Sequence, residues 1–171
     1  RRKKKHGIGI SVFSDNKTHS RRVARSCMCI RSVVKFFPNI PVFIVIDGSI
    51  TDVHFDEIKV LINDYVKIVK LPENKGISYV KNVCIDLLKD VCDYIYLLDD
   101  DIEITKHDFD VFIENVFNRN NIPLISNFGS GATNSDIINE DRIVSINGIK
   151  YYLMDSNKRD TYFGNLIIID R

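Results

Sequence analysis

Apolar positions along the first hundred residues follow two rhythms in turn. Gly7 to Phe13 (GIGISVF) is a short β-rich run that reads as a first strand. From Thr18 to Phe37 the spacing becomes helical: Val23, Cys27, Ile30 and Val34 recur on one face, with Arg21, Arg22, Arg25, Arg31 and Lys35 mostly on the other. Pro38 stops that helix. Val42 to Ile46 (VFIVI) is continuously apolar, the pattern of a strand covered on both faces. Asp47-Gly48-Ser49 turns the chain, His54 to Tyr65 predicts a second helix, and Val66 to Leu71 a third strand. PENKG leads into a helix from about Ile77 to Val91, with Ile77, Val80, Cys84, Leu87 and Val91 on one face. Tyr94 to Leu98 is the fourth strand, and it runs straight into Asp99, Asp100 and Asp101.

Strands alternating with helices predict an α/β fold, a mostly parallel central sheet flanked by helices with right-handed crossovers. Past the aspartates the alternation weakens. Lys106 to Arg119 is expected to be helical, PLISNF a strand, and residues 129–135 (GSGATNS) a loop. Asn147-Gly148 between two β-prone runs signals a type I′ hairpin. DSNKRD is a further loop and GNLIIID a last strand. The expected organisation is a basic flexible arm over residues 1–6 and one domain over 7–171. Residues 7–104 are expected to form a nucleotide-fold half and 105–171 a smaller, more irregular half.

Composition narrows the function. With 44% hydrophobic and 27% charged residues the chain has enough apolar side chains for a core, and no run approaches the roughly 20 needed to cross a bilayer. Net charge is +1, but Arg1, Arg2, Lys3, Lys4 and Lys5 supply five of the 24 basic residues. The other 19 face 23 acidic ones, a balance of −4. A nucleic-acid partner is therefore not expected, since it would need excess positive charge on the folded body. The basic opening reads as a solvated arm, with nucleic-acid, anionic-lipid or targeting roles as alternatives. Cys27, Cys29, Cys84 and Cys92 lack zinc spacing and fall in apolar helical stretches. They are expected to be buried reduced thiols, which fits a cytoplasmic setting.

The acids carry the chemistry. Loops at the carboxyl ends of parallel strands open on one edge of a sheet, where ligands of open α/β folds bind. The first strand delivers Ser14, Asp15 and Asn16 to that edge, the second Asp47, and the fourth Asp99, Asp100 and Asp101. Alternation along an extended backbone would turn Asp99 and Asp101 to one side and Asp100 to the other. Two same-side carboxylates suit a hard divalent cation, Mn²⁺ or Mg²⁺, completed by substrate phosphates. The plainer alternative is a run of solvated aspartates capping the next helix, for which one Asp would suffice. Asp47 also fits a simple turn, and Lys81, on the polar face a turn into its helix, is either solvated or placed to hold a phosphate.

Four stretches, in order, resemble the GT-A glycosyltransferases, closest to the large family-2 class that uses nucleotide-sugar donors. GISVFSDNKTHSRRVARSCMCI is similar to the family's first strand and helix, and VFIVIDGSITD to its strand ending V-D-D-G-S-x-D. NKGISYVKNVCIDLLKDVCDYIYLLDDDIEI resembles the N-x-G-x-x-x-A-R-N segment running into the DxD motif, and YFGNLIIIDR the G-G-N-x-x-x-R stretch. The resemblance implies a GT-A fold and donor-nucleotide contacts from Ser14, Asp15, Asp47, Lys81, Asp99 and Asp100. It further implies a metal on Asp99 and Asp101, and Gly164 and Asn165 on the acceptor side of the donor sugar. The expected activity is metal-dependent, inverting transfer from a nucleotide-diphosphate sugar, UDP-sugar favoured. The acceptor hydroxyl would belong to a glycan, a protein or a small molecule.

The chain departs from the family pattern at Ser14 (usually Pro), Lys81 (usually Arg) and Phe163 (commonly a second Gly). The family's catalytic base is an acid after the G-N stretch, and the chain stops at Arg171. The expectation is a piece of a longer polypeptide whose base lies beyond Arg171 or is Asp136, Asp141, Asp155 or Asp160. Two other enzymes compete. A sugar-phosphate nucleotidyltransferase would need a glycine-rich phosphate loop where SDNKTHSRR stands. A haloacid-dehalogenase phosphatase would need its DxDxT at the end of the first strand, not the fourth. A non-catalytic nucleotide-sugar and metal-binding module is the alternative from another class.

Overall fold

The computed structural model describes residues 3–13, 19–48 and 50–104, together with strands at 124–127, 143–146, 149–153 and 166–170. In chain order the elements are β1 (His6–Val12), α1 (His19–Phe36), β2 (Val42–Ile46), α2 (Asp52–Lys59), β3 (Val66–Lys70), α3 (Ile77–Leu88), β4 (Tyr94–Asp99), β5 (Leu124–Asn127), β6 (Ile143–Ile146), β7 (Ile149–Leu153) and β8 (Leu166–Asp170). They form one eight-stranded sheet in the order β3-β2-β1-β4-β8-β5-β7-β6. β1, β2, β3 and β4 pair in parallel, and β8 joins β4 antiparallel. The late strands thus extend the same sheet, and the hairpin expected around Asn147-Gly148 is the antiparallel β6–β7 pair. The expected helix at 106–119 and the loops at 129–135 and 155–160 lie outside the described residues.

Strict alternation builds two cores on one sheet. Ile8, Ile10 and Val12 of β1 and Tyr94, Tyr96 and Leu98 of β4 face α1 and α2, packing with Ile30, Val33 and Ile58. Ile95 and Leu97 face the other way, onto Val80, Cys84 and Leu88 of α3. On that second face β1 presents only Gly7, Gly9 and Ser11. The small residues let α3 seat its Cys84 and Leu88 side chains directly on the strand backbone: a methyl group on Gly9 would come within 2.4 Å of the Cys84 Cβ.

Several expected boundaries shift. Lys5 and His6 do not belong to a free arm: the Lys5 amide donates to the Asp93 carboxylate at 2.7 Å, and its carbonyl accepts from Asp93 and Tyr94. His6 opens β1, buried, with Nδ1 2.7 Å from the Tyr96 hydroxyl. α2 starts earlier than expected because Thr51 caps it, accepting from the His54 amide at 3.2 Å. It ends earlier, at Lys59, where the Leu61 and Ile62 amides bond back three residues in tight turns before the Asn63 side chain bonds the Tyr65 amide. α3 stops at Leu88, leaving Val91 exposed, and Ile77 is exposed at its start. The buried stripe of α3 is therefore Val80, Cys84 and Leu88, rotated from the expected one. All four cysteines are free and buried, although Cys92 lies after α3 and not within it. Burial pushes the Cys29 and Cys84 thiols up to about 12, so both stay protonated at neutral pH.

The close seat of α3 gives a direct test. Gly9→Ala should destabilise the protein by about 1–3 kcal/mol, the usual cost of overpacking a filled core, as read from urea unfolding. An unchanged midpoint would show that α3 can move off β1.

Candidate functional site

The parallel register brings distant acids to one edge. Val12 pairs with Ile46, Ser11 pairs with Asp99, and the Asp47 amide bonds the Val12 carbonyl at 2.9 Å. The carboxyl ends of β1, β2 and β4 therefore open on one cleft of about 360 Å³. Its lining includes Ser11, Arg22, Asp47, Asn74, Asp99 and Asp101.

Asp47 is buried and holds the next loop in place. Its Oδ1 accepts from the Lys75 amide at 2.7 Å and its Oδ2 from the Gly76 amide at 2.9 Å, at the N-terminus of α3. Gly48 makes this turn possible. Its φ is +78°, and a Cβ there would lie 2.5 Å from the Asn74 nitrogen. The turn reading and the site reading of Asp47 thus converge: a carboxylate that braces the 73–76 loop also lines the cleft.

The aspartate run is not an extended strand. β4 ends at Asp99, and the Ile102 amide returns to the Asp99 carbonyl at 3.3 Å, so Asp100 and Asp101 are the middle of a turn. Alternation does not carry past Asp99, so the extended-strand reasoning for Asp99 and Asp101 does not apply, although all three aspartates line the cleft. Each carboxylate instead meets its own cation. Lys81 of α3 places Nζ 3.0 Å from Asp99 Oδ1, Arg22 of α1 bonds Asp100 Oδ1 at 3.0 Å, and Arg25 of α1 stands 3.8 Å from Asp101 Oδ2. Lys81 therefore faces the site and is not merely solvated. The two arginines lay unnoticed among the polar positions of α1. Their signal is their spacing, three residues apart and so on one side of a helix, level with the end of β4.

Burial raises two of the acids, Asp99 and Asp100. Asp99 is raised above the ordinary carboxylate range by desolvation, opposed by the Lys81 charge. Asp100, 4% exposed, is pushed up to about 6 by desolvation, against the pull of Arg22 and the Phe13 amide. Its Oδ2 has no hydrogen-bond partner. The same holds for Ser11 Oγ beside Asp99, whose own Oδ1 is buried and held by Lys81 Nζ at 3.0 Å.

Among the described residues no group of three or more His, Cys, Asp or Glu side chains could hold a metal unaided. The donor set nevertheless fits a cation completed by a ligand's phosphates. Asp99 Oδ1 is buried at the cleft with the Lys81 ammonium 3.0 Å away, and Asp100 Oδ2 and Ser11 Oγ nearby have no hydrogen-bond partner. Ser14, Asp15, Gly164, Asn165 and the candidate bases Asp136, Asp141, Asp155 and Asp160 lie outside the described residues.

A model of the glycosyl transferase family 2 matches residues 27–168. The chain belongs to that family. It is 36% identical over 100 residues to an uncharacterized glycosyltransferase of Acanthamoeba polyphaga mimivirus, covering 57% of this chain and 38% of that one. Its fold is similar to the mannosyltransferase PcManGT of Pyrobaculum calidifontis, solved with GDP-Man and Mn²⁺. There the TM-score is 0.55 at 11% identity, over 74% of this chain and 36% of that one. The chain thus spans well under half the length of either relative. The expected family and the GT-A-like fold are both met. No helix among the described residues is long and apolar enough to cross a membrane.

Two outcomes test this site's electrostatics and bracing. Asp47→Ala strands the Lys75 amide, while the Gly76 amide keeps its bond to Asn74 Oδ1 at 3.0 Å, and should cost on the order of 2 kcal/mol in urea unfolding, with Asp47→Asn, which keeps one acceptor, losing about half as much. For Asp100 the folded value lies above the ordinary 3.8, so the folded state holds its proton more tightly than the unfolded one. Its contribution to stability should fall as pH rises from 3.8 to about 6 and stay low above that. In metal-free protein Asp100→Asn should flatten that part of the stability–pH curve.

Proposed function

We propose that this domain binds a nucleotide-diphosphate sugar with the help of a divalent cation and transfers the sugar to an acceptor hydroxyl. The observation that carries the reading is the cleft itself. Asp47 and the Asp99–Asp101 turn meet at the carboxyl edge of a parallel sheet, where Asp100 Oδ2 and Ser11 Oγ are buried without a hydrogen-bond partner. The family supports transfer chemistry, and the Mn²⁺ and GDP-Man bound by the Pyrobaculum calidifontis enzyme support the ligand class.

Roles follow from position. Asp47 braces the 73–76 loop and stands where a nucleoside would enter the cleft, and the sequence resemblance gives Ser14 and Asp15 the same role. Asp99 and Asp101 are the metal-binding carboxylates, and Mn²⁺ or Mg²⁺ held there supplies positive charge against the departing nucleoside diphosphate. Lys81, now on Asp99, would turn to a phosphate as that oxygen is taken up. Gly164 and Asn165, which precede β8, belong to the sugar and acceptor side. Inversion needs a general base on the acceptor hydroxyl, and Asp136, Asp141, Asp155 and Asp160 are the candidates within this chain. UDP is the nucleotide the sequence resemblance favours, and GDP its main competitor.

Thermal shift with UDP and GDP, each with and without Mn²⁺, is the test. At least one nucleotide should stabilise the protein in a metal-dependent way, and Asp101→Asn should remove that shift. The variant should keep a metal-free Tm within about 2 °C, as expected for a partly exposed side chain. Stabilisation by neither nucleotide would overturn the donor-binding reading. Metal-dependent binding without sugar transfer or hydrolysis would replace the transferase by a binding module.

A further inference from the structure

The incoming diphosphate meets a cleft that already holds four carboxylates, Asp47, Asp99, Asp100 and Asp101. A bound divalent cation offsets only part of that charge. Lys81 is drawn to Asp99, and Arg25 stands by Asp101, so each shares a carboxylate with the expected metal. Arg22 is placed differently. It lines the cleft, and its partner Asp100 is the most deeply buried member of the triplet, not one of the expected metal carboxylates.

We propose that Arg22 binds the diphosphate of the nucleotide donor directly, through the guanidinium N–H groups left over from its bond to Asp100. The inference rests on the donor reading above. The Nη1 bond at 3.0 Å uses one of five N–H donors in a rigid planar fork, the geometry suited to phosphate oxygens. The Asp100 side chain is 4% exposed and that of Arg22 36%, so the pair is anchored at one end and open at the other. Asp100 thereby acquires a role that metal binding does not give it. It fixes a guanidinium in advance at the end of β4, so little side-chain freedom is lost when phosphate arrives. Arg22 enters from α1, on the opposite face of the sheet from Lys81, so the two cations flank the β4 end.

The experiment uses inorganic pyrophosphate and UDP as calorimetric probes in saturating Mn²⁺, and Mn²⁺ alone followed by the electron-spin signal of the free ion. Arg22→Gln leaves Asp100 buried without its partner and can unfold the protein. The double variant Arg22→Gln with Asp100→Asn removes both charges and keeps a folded comparison. In either folded variant pyrophosphate and UDP should weaken at least about tenfold, the loss expected for a charge-assisted bond. Affinity for Mn²⁺ alone should stay within about twofold, since Arg22 does not share the metal's carboxylates. Arg22→Lys, which keeps the charge without the fork, should fall between. Undiminished pyrophosphate binding in the double variant overturns the proposal, and so does a parallel loss of Mn²⁺ alone, which would mean that Arg22 only shapes the turn. Failure of the unaltered protein to bind pyrophosphate, UDP or GDP with Mn²⁺ would remove the donor reading itself.

Discussion

Three neighbouring carboxylates at the end of a buried strand repel one another, and everything at the working edge of this domain is arranged around that repulsion. The parallel register places the strand ends side by side, so the acids cannot be dispersed. They are met by cations from the helices covering the two faces of the sheet, Lys81 from α3 and Arg22 and Arg25 from α1. The pairs differ in exposure, and that decides their character. Arg25 and Asp101 are partly solvated, so their attraction is weak and screened, and the pair can exchange partners. Asp100 is almost fully enclosed, so losing Arg22 would leave an uncompensated charge indoors. One end of the triplet is thus built to stay and the other to trade.

The first hundred residues were largely legible because each element there carries a local signal. VFIVI was continuously apolar and became a strand packed on both faces, and its expected limits match β2. The α3 boundaries were less legible. Leu87, Leu88 and Val91 all suit a helix, and only the packing against β1 decides that Leu88 is inside and Val91 outside. α2 shows the same limit, since its backbone tightens into turns after Lys59 where periodicity would have continued the helix. His6 reads as the last residue of a charged arm, yet the pairing of β1 with β4 takes it into the sheet.

At the site, the convergence of Asp47 with Asp99, Asp100 and Asp101 followed from strand order alone. What strand order could not convey was the turn after Asp99, because DDD has no residue type that separates the last strand position from a turn position. Nor could it show which face of α1 the arginines served. An amphipathic helix normally sends its charges to water, and Arg22 and Arg25 count as polar by any such pattern. Their function emerges only once β4 is known to end level with the first turns of α1.

The bare face of β1 has a mechanical consequence. Gly7, Gly9 and Ser11 leave backbone almost touching helix, with no layer of long side chains whose rotamers could absorb a sliding motion. α3 behaves as a fixed abutment, and it carries Gly76 and Lys81 to the cleft with it. One wall of the cleft is thus set by contact with strand backbone, and its position does not depend on the rotamers of long side chains on β1.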